Sequence, residues 1–359
     1  MSPERWAAAG LLADLSDVLL PIRGRFFPGV LEQAFLRDPR TGRAAPLTAP
    51  LGQGFIHLHV WTSLLERAGL TLADVPKEWG AFWSFWCDKV QPAVREATGR
   101  EDVWGLGLPM SSAAGDTSDA LTQFMIAHSA SFWPSVDRPL ADDPGLRVRL
   151  AEVLADYTAP WNKDCVPPDA ARWMNPDNNR AFLDRRVVLV VNTSLSIPAE
   201  LRASRPEEYD KETATIGWPA GPDGGVYPLL FIVVEGVAFA GGRNVEGAKD
   251  FLRFILREER LGAWIEGGHG RYLPTMVELV GTPFWMDPAD RHRHTAIEEL
   301  VGPTMPNLGP VRASLPVWWD QAARQRLLGG AVQRIAVDGL TPEQAADELV
   351  EQLKQLQRE

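Results

Sequence analysis

His57-Leu58-His59 sets two imidazoles one residue apart, and His292-Arg293-His294 lies close to Asp287 and Asp290. Imidazole nitrogens and carboxylate oxygens are the usual ligands of zinc, and alternate residues of a strand point to one face. Neither group brings a third and fourth ligand at a recognised spacing. The expectation is therefore no metal and no cofactor, with the histidines on the surface or in a cleft. Cys87 and Cys165 are the only two cysteines; they allow at most one bridge, make no disulfide framework, and are expected to be ordinary buried thiols that pack as small hydrophobes. Gly105-Leu106-Gly107 lacks the third glycine and the following helix of a dinucleotide fingerprint, and no glycine–lysine phosphate loop occurs. There is no Gly-x-Ser-x-Gly elbow, and a glycosidase pair cannot be chosen among the carboxylates by spacing alone. No catalytic residue is assigned.

The elements that must position such groups alternate between helix and strand. Val60, Trp61, Leu64, Leu65 and Ala68 fall at helical spacing up to Gly69, and Trp79, Phe82, Trp83, Trp86 and Val90 form a broad apolar stripe ending before Pro92. The runs Val187–Val191 and Leu229–Val234 read as strands buried on both faces. Asn244 caps a helix that turns Val245, Ala248, Phe251, Leu252 and Ile255 inward, and Thr341-Pro342-Glu343-Gln344 is a capping box that opens the last helix. The pattern is α/β, and 359 residues exceed what one core usually serves, so two lobes are expected.

Hydrophobic residues at 45% and charged residues at 23% place the chain among compact globular proteins. Lys and Arg number 36 against 47 Asp and Glu, a net charge of −11; that argues against nucleic acid or an anionic membrane as the main partner and leaves a neutral or small ligand. No apolar run is long enough to span a bilayer. Met1-Ser2-Pro3-Glu4-Arg5-Trp6 lacks the basic and apolar regions of an export signal, so read literally the chain begins and stays in the cytoplasm. Fourteen tryptophans are many for this length, and Trp is over-used where ligands are stacked.

Longer patterns carry a resemblance. Trp61-Thr62-Ser63-Leu64-Leu65-Glu66-Arg67-Ala68-Gly69-Leu70 is followed by Val75-Pro76-Lys77-Glu78-Trp79-Gly80-Ala81-Phe82, and Ala181-Phe182-Leu183-Asp184-Arg185-Arg186 leads into Val187–Asn192. Further on stand Trp218-Pro219-Ala220-Gly221-Pro222-Asp223-Gly224, Glu235–Ala240, Glu246-Gly247-Ala248-Lys249-Asp250-Phe251-Leu252 and Thr304–Pro310. In this order and spacing the segments resemble the extracellular solute-binding proteins of ABC importers (family 1), the carbohydrate-binding group that includes the maltodextrin-binding proteins. Thr193, Ser194 and Leu195 stand where that family usually carries glycine and tryptophan. The family also has an export signal and opening strands ahead of the segment that here is Gly10–Ser16.

The resemblance implies an α/β, two-lobe periplasmic-binding-protein-like fold of type II. Lobe one would comprise 1–52 and 236–302 and be truncated at its N-terminus, with an unpaired sheet edge; lobe two would comprise 53–235 and 303–359. It further implies a sugar or oligosaccharide captured between the lobes by hinge closure, ABC permease subunits as partners, a monomer, a periplasmic or extracellular place and no enzymatic activity. Candidate ligand-binding residues are Gln53 after the first crossing, Asp116 and Thr117 in the Ser111–Ser118 loop, Asn192 and Ser194 at a strand end, and Arg271 with Tyr272 in a glycine-flanked loop. Trp61, Trp133, Trp173 and Trp218 are aromatic candidates, and one of Trp318 and Trp319 is expected to stack, since neighbours on a helix do not share a face. Three alternatives stay open: a carbohydrate-active enzyme with paired carboxylates, a binder of a non-sugar solute such as a polyamine, and a degenerate remnant.

Overall fold

The computed structural model describes residues 3–129, 145–302 and 317–358. Trp133 and the Thr304–Pro310 crossing lie outside the described residues. Eight strands form three sheets: β1 (Phe35–Arg37) with β2 (Ala44–Pro46); β3 (Ala49–Phe55) with β8 (Phe231–Gly236); and a four-stranded sheet of β4 (His57–Trp61), β5 (Trp104–Gly107), β6 (Val187–Asn192) and β7 (Thr213–Ile216) in the order β5-β6-β4-β7. In the larger sheet β5 runs parallel to β6, whereas β4 is antiparallel to both β6 and β7. Helices pack around these sheets, and the mixed α/β fold expected from the sequence is present.

The central sheet follows from its side chains. Every residue of β6 is buried, which a run of Val187, Val188, Leu189, Val190 and Val191 tolerates and a polar alternation would not. The helix Asp177–Leu183 precedes it and delivers Phe182 beneath Trp61. Val60 and Trp61, expected in a helix, instead close β4, and the helix starts at Thr62. Pairing of Val60 with Leu189 and Ala214 on either side outweighs a helical spacing that covers only a few residues. Pro92 does not end the stripe that begins at Trp79. The helix Trp79–Ser84 passes into a π-helical stretch, Phe85–Val90, and a new helix, Gln91–Thr98, takes Pro92 in its first turn, where no N–H is needed.

β3 and β8 form a long antiparallel ribbon with a bulge between Pro50 and Gly52. β8 was expected to be buried on both faces, yet all its residues are only partly buried. The outer edge of β3 takes a single bridge, Gln53 with Leu273. A ribbon two strands wide cannot cover the helix Val245–Ile255: Asn244 caps it by accepting from the Gly247 N–H, but only Leu252 of its apolar stripe is buried and Phe251 is 60% exposed. The Thr341 capping box forms as expected, with the Thr341 N–H donating to Gln344 and the Gln344 N–H donating to Thr341.

Cys87 and Cys165 are joined in a disulfide, which corrects the expectation of two separate thiols. The π-helical stretch turns Cys87 toward the segment that follows the helix Leu146–Asn162, while the backbone of Leu106 donates to the carbonyl of Cys165 and fixes it beside β5. Residues 78 apart thus meet on one edge of the sheet, a juxtaposition with no local sequence signal. Residues Asp287 to Val301, inside the span expected for lobe one, pack against β7: the Thr215 N–H donates to the Arg291 carbonyl and Tyr209 donates to Asp290.

Candidate functional site

Asn192 ends β6, an interior strand of the four-stranded sheet, and its amide is buried there. Its Nδ2 donates to Asn179 Oδ1 at 2.5 Å, and its Oδ1 accepts from the Ser194 N–H at 3.0 Å and from the Ser196 hydroxyl at 3.3 Å. Asn179 in turn donates to Ser196. Its neighbour Asn178 donates to Asp116 at 2.8 Å and to the carbonyl of Val191 at 3.2 Å. A continuous row of amides, hydroxyls and one carboxylate therefore joins the helix Asp177–Leu183, the turn after β6 and the first turn of the helix Gly115–Ala127. Asn178 and Asn179 sit on a helix that starts just after Pro176, and the sequence did not single them out as site residues. Their signal was the adjacent pair of amides, which helix propensity alone does not favour.

Asp116 and Asp119 lie three residues apart on one face of the helix, above the buried ring of Tyr157. Burial raises the Asp116 carboxyl to about 6 against the lowering hydrogen bond from Asn178. Burial, together with the charge of Asp116, raises Asp119 to about 7. No arginine or lysine among the described residues pairs with either. Thr117 is fully buried, and its hydroxyl donates to the Ser111 carbonyl at 2.7 Å, so it shapes the loop rather than facing a cleft. Arg326 donates to the carbonyl of Ser112, and Gln333 accepts from the Ser112 N–H, so the helix Leu327–Asp338 braces the loop from the other side.

From the opposite side, the Gly270-Arg271-Tyr272 loop reaches this row through its backbone: the Leu195 N–H donates to the Arg271 carbonyl at 3.2 Å. Arg271 is exposed, with its guanidinium 5.4 Å from the Tyr272 ring. Together with Trp264, which sequence reasoning did not single out, the two residues line an open cavity of about 460 Å³. Gly52 is required below it, because a Cβ there would come within 2.9 Å of Tyr272. Gln53 is buried, exchanges backbone hydrogen bonds with Leu273, and spends its side-chain amide on the Pro274 carbonyl; it braces this loop and has no free amide.

The tryptophans divide. Trp61 is fully buried, stacks on Phe182, donates to the Phe182 carbonyl at 2.8 Å and carries the Arg185 guanidinium 3.9 Å above its ring. Trp173 is buried and donates to Asp169. Both faces or edges of these rings are in use inside the protein. Trp218 is partly exposed; its indole donates to the Ile56 carbonyl, and its ring closes an aromatic cluster with Trp79, Trp83 and Phe124. Trp318 and Trp319 lie on the helix Val317–Arg324, both partly buried and edge to face at 5.9 Å. Asp116, Asn192 and Ser194 thus belong to one internal hydrogen-bonded row, which Arg271 joins through its backbone carbonyl, while Trp61, Trp173, Thr117 and Gln53 have internal partners elsewhere.

Residues 4–291 match the model of the bacterial extracellular solute-binding protein family, and the chain belongs to that family. No curated protein matches the chain. Among solved structures, it is similar to an ABC transporter solute-binding protein from Thermotoga lettingae bound with α-D-tagatose (16% identity, TM-score 0.74, covering 98% of this chain and 82% of that one). It is also similar to a sugar transporter protein from Arthrobacter chlorophenolicus with bound laminaribiose (16% identity, TM-score 0.73, 98% and 82%). Maltose-bound MalE3 of T. maritima aligns at 16% identity and a TM-score of 0.73, with 98% and 81% covered. These similarities establish the two-lobe periplasmic-binding-protein-like fold.

Proposed function

We propose that the chain is the substrate-capturing component of a bacterial ABC importer and that its solute is a sugar or oligosaccharide. The observation that carries this is the hydrogen-bonded row Asp116, Asn178, Asn179, Asn192, Ser194 and Ser196 at the end of a buried strand, joined through the Leu195-to-Arg271 backbone bond to a loop whose Arg271 and Tyr272 line an open cavity with Trp264. Amides and hydroxyls satisfy sugar hydroxyls, and exposed aromatic faces take their C–H surfaces. The bound tagatose, laminaribiose and maltose of the structurally similar proteins support the same ligand class.

In this proposal lobe one comprises 1–52 and 236–302 and lobe two 53–235 and 303–359. A ligand that touches both has its full contacts only when the lobes close, so it shifts the population toward the closed form for the permease to read. The protein acts as a monomer and catalyses no reaction. The disulfide supports an extracytoplasmic location, because such bonds persist in oxidising compartments. A second reading is favoured by one observation: Asp116 and Asp119 feel each other's charge with no cationic side chain paired to either among the described residues, which suits a cationic solute such as a polyamine.

The test is a thermal melt followed by tryptophan fluorescence with mono- and oligosaccharides and, separately, with spermidine. A binder of the folded form at 100 times its Kd stabilises by about 2.7 kcal/mol. A shift with a sugar that is lost in Asn192→Ala, the variant retaining its own melting temperature within a few degrees, supports the proposal. A shift with spermidine alone refutes the sugar assignment.

A further inference from the structure

The two histidines of β4 do not face solvent. His57 and His59 are both fully buried on one face of the strand, and His292 joins them from the start of the helix Arg293–Val301. Ring centroids are 6.0 Å apart for His57 and His59 and 6.3 Å for His59 and His292. Two of the three, His59 and His292, are joined through Thr215 by one consistent order of protons. His59 Nε2 lies 3.3 Å from the carbonyl of Ser194, which only accepts, so that nitrogen carries the hydrogen. His59 Nδ1 therefore accepts from the Thr215 hydroxyl at 2.9 Å, and Thr215 Oγ1 accepts from His292 Nδ1–H at 2.8 Å. His292 Nε2 is left to accept from Thr213 at 3.1 Å. All links are made with every imidazole neutral.

A further proton on His292 Nε2 orphans no acceptor. If His292 Nε2 is protonated, the Thr213 hydroxyl turns to the Glu208 carbonyl, already 3.0 Å away. Hydrogen bonding thus permits the charged state, and what opposes it is the charge itself in a dry site. Around His292 stand the Tyr209 ring at 4.6 Å and the hydroxyls of β7. Asp290 favours the cation, while Arg291 and Arg293 oppose it. Arg202, from the helix Ser196–Ser204, approaches Asp290 at 3.4 Å and partly neutralises it. At the other end His57 Nδ1 meets Glu299 at 3.0 Å, while its Nε2 is buried with no partner.

We propose that His292, hydrogen-bonded to Thr213 and Thr215 and set beside His59, is an acid-labile latch that ties residues 287–301 to β7 at neutral pH and releases them when its imidazole charges. Residues 287–301 reach β7 otherwise through the Thr215-to-Arg291 backbone bond, reach the helix Pro206–Lys211 through the Tyr209–Asp290 contact, and bury Ala296, Ile297 and Leu300 in the core. Burial lowers His292 to about 4 and, with the neighbouring imidazoles, holds His59 well below its ordinary value. Release returns His292 to its ordinary value, so acid favours release.

The experiment is hydrogen–deuterium exchange of the whole chain at pH 7.5 and 5.0, corrected for the intrinsic rate. With His292 moving from about 4 when latched to 6.5 when released, protection of the Thr215 and Ala296 amides falls about 30-fold, while that of Val190 in β6 changes less than threefold. In His292→Gln the fall at Thr215 and Ala296 shrinks to less than threefold. Equal loss of protection in the variant, or no loss in the wild type, overturns the latch. If the variant does not fold, an imidazole NMR titration of the wild type decides: His292 titrating near 4 as the Nδ1–H tautomer supports the latch, and titration near 6.5 overturns it.

Discussion

Removing the Cys87–Cys165 bridge is the sharpest perturbation the fold offers. The crosslink closes a loop across a sequence separation of 78, and constraining an unfolded chain by a loop of that size is worth about 4.5 kcal/mol in the chain-entropy account. For a chain of 359 residues, with about 2 cal/mol/K of unfolding entropy per residue, that converts to a fall of about 6 °C in melting temperature. Cys165 is fully buried and Cys87 nearly so, so Cys87→Ala with Cys165→Ala adds a small packing loss to the crosslink term. The assay compares three samples by fluorescence-detected melting: oxidised wild type, wild type held in reductant, and the double variant. The reduced wild type isolates the crosslink and should melt about 6 °C below the oxidised protein, with the double variant at or slightly below it. Thiol titration of the purified, denatured wild type should find no free cysteine. Two free thiols, or oxidised and reduced samples melting within about 1 °C of each other, would refute the reasoning and remove the support for an oxidising compartment.

Asp119 sets a pH dependence of opposite sign to that of the buried histidines. Its carboxyl is raised from 3.8 to about 7 in the folded protein, so stability is lost as pH rises from about 4 through 7, and Asp119→Asn should stabilise by a few kcal/mol at pH 8 and hardly at all at pH 4 in urea titrations. Gly105→Ala should destabilise by about 3 kcal/mol in the same assay, because a Cβ there would overlap the backbone carbonyl of Trp86 and crowd the sulfur of Cys165 at 3.1 Å. Asn244→Ala, which removes the oxygen that accepts from Gly247, should cost about 1 kcal/mol, and a neutral result would show that the helix start is held by packing alone.

What the sequence determined by itself is what local chemistry fixes. The β-branched run Val187–Val191, the Asn244 cap and the Thr341 box each act within a few residues, and each forms where expected. The ordered set of segments that resembled solute-binding proteins also located the family, because it samples many such local choices at once. Where Val60 and Trp61 changed from helix to strand, two flanking strands supplied hydrogen bonds that a short helix could not match. Tertiary structure alone decided the rest. Asn178 meets Asp116 across 62 positions, and Cys87 meets Cys165 across 78. Trp61 became a core residue because Phe182, 121 positions away, took up its face and its N–H group, while Trp264 came to line a cavity with Tyr272, whose ring lies over Gly52. His57 and His59 were legible as a pair on one face of a strand; that His292 completes their row depended on residues 287–301 packing against β7, a contact between segments whose separate sequences carry no record of each other.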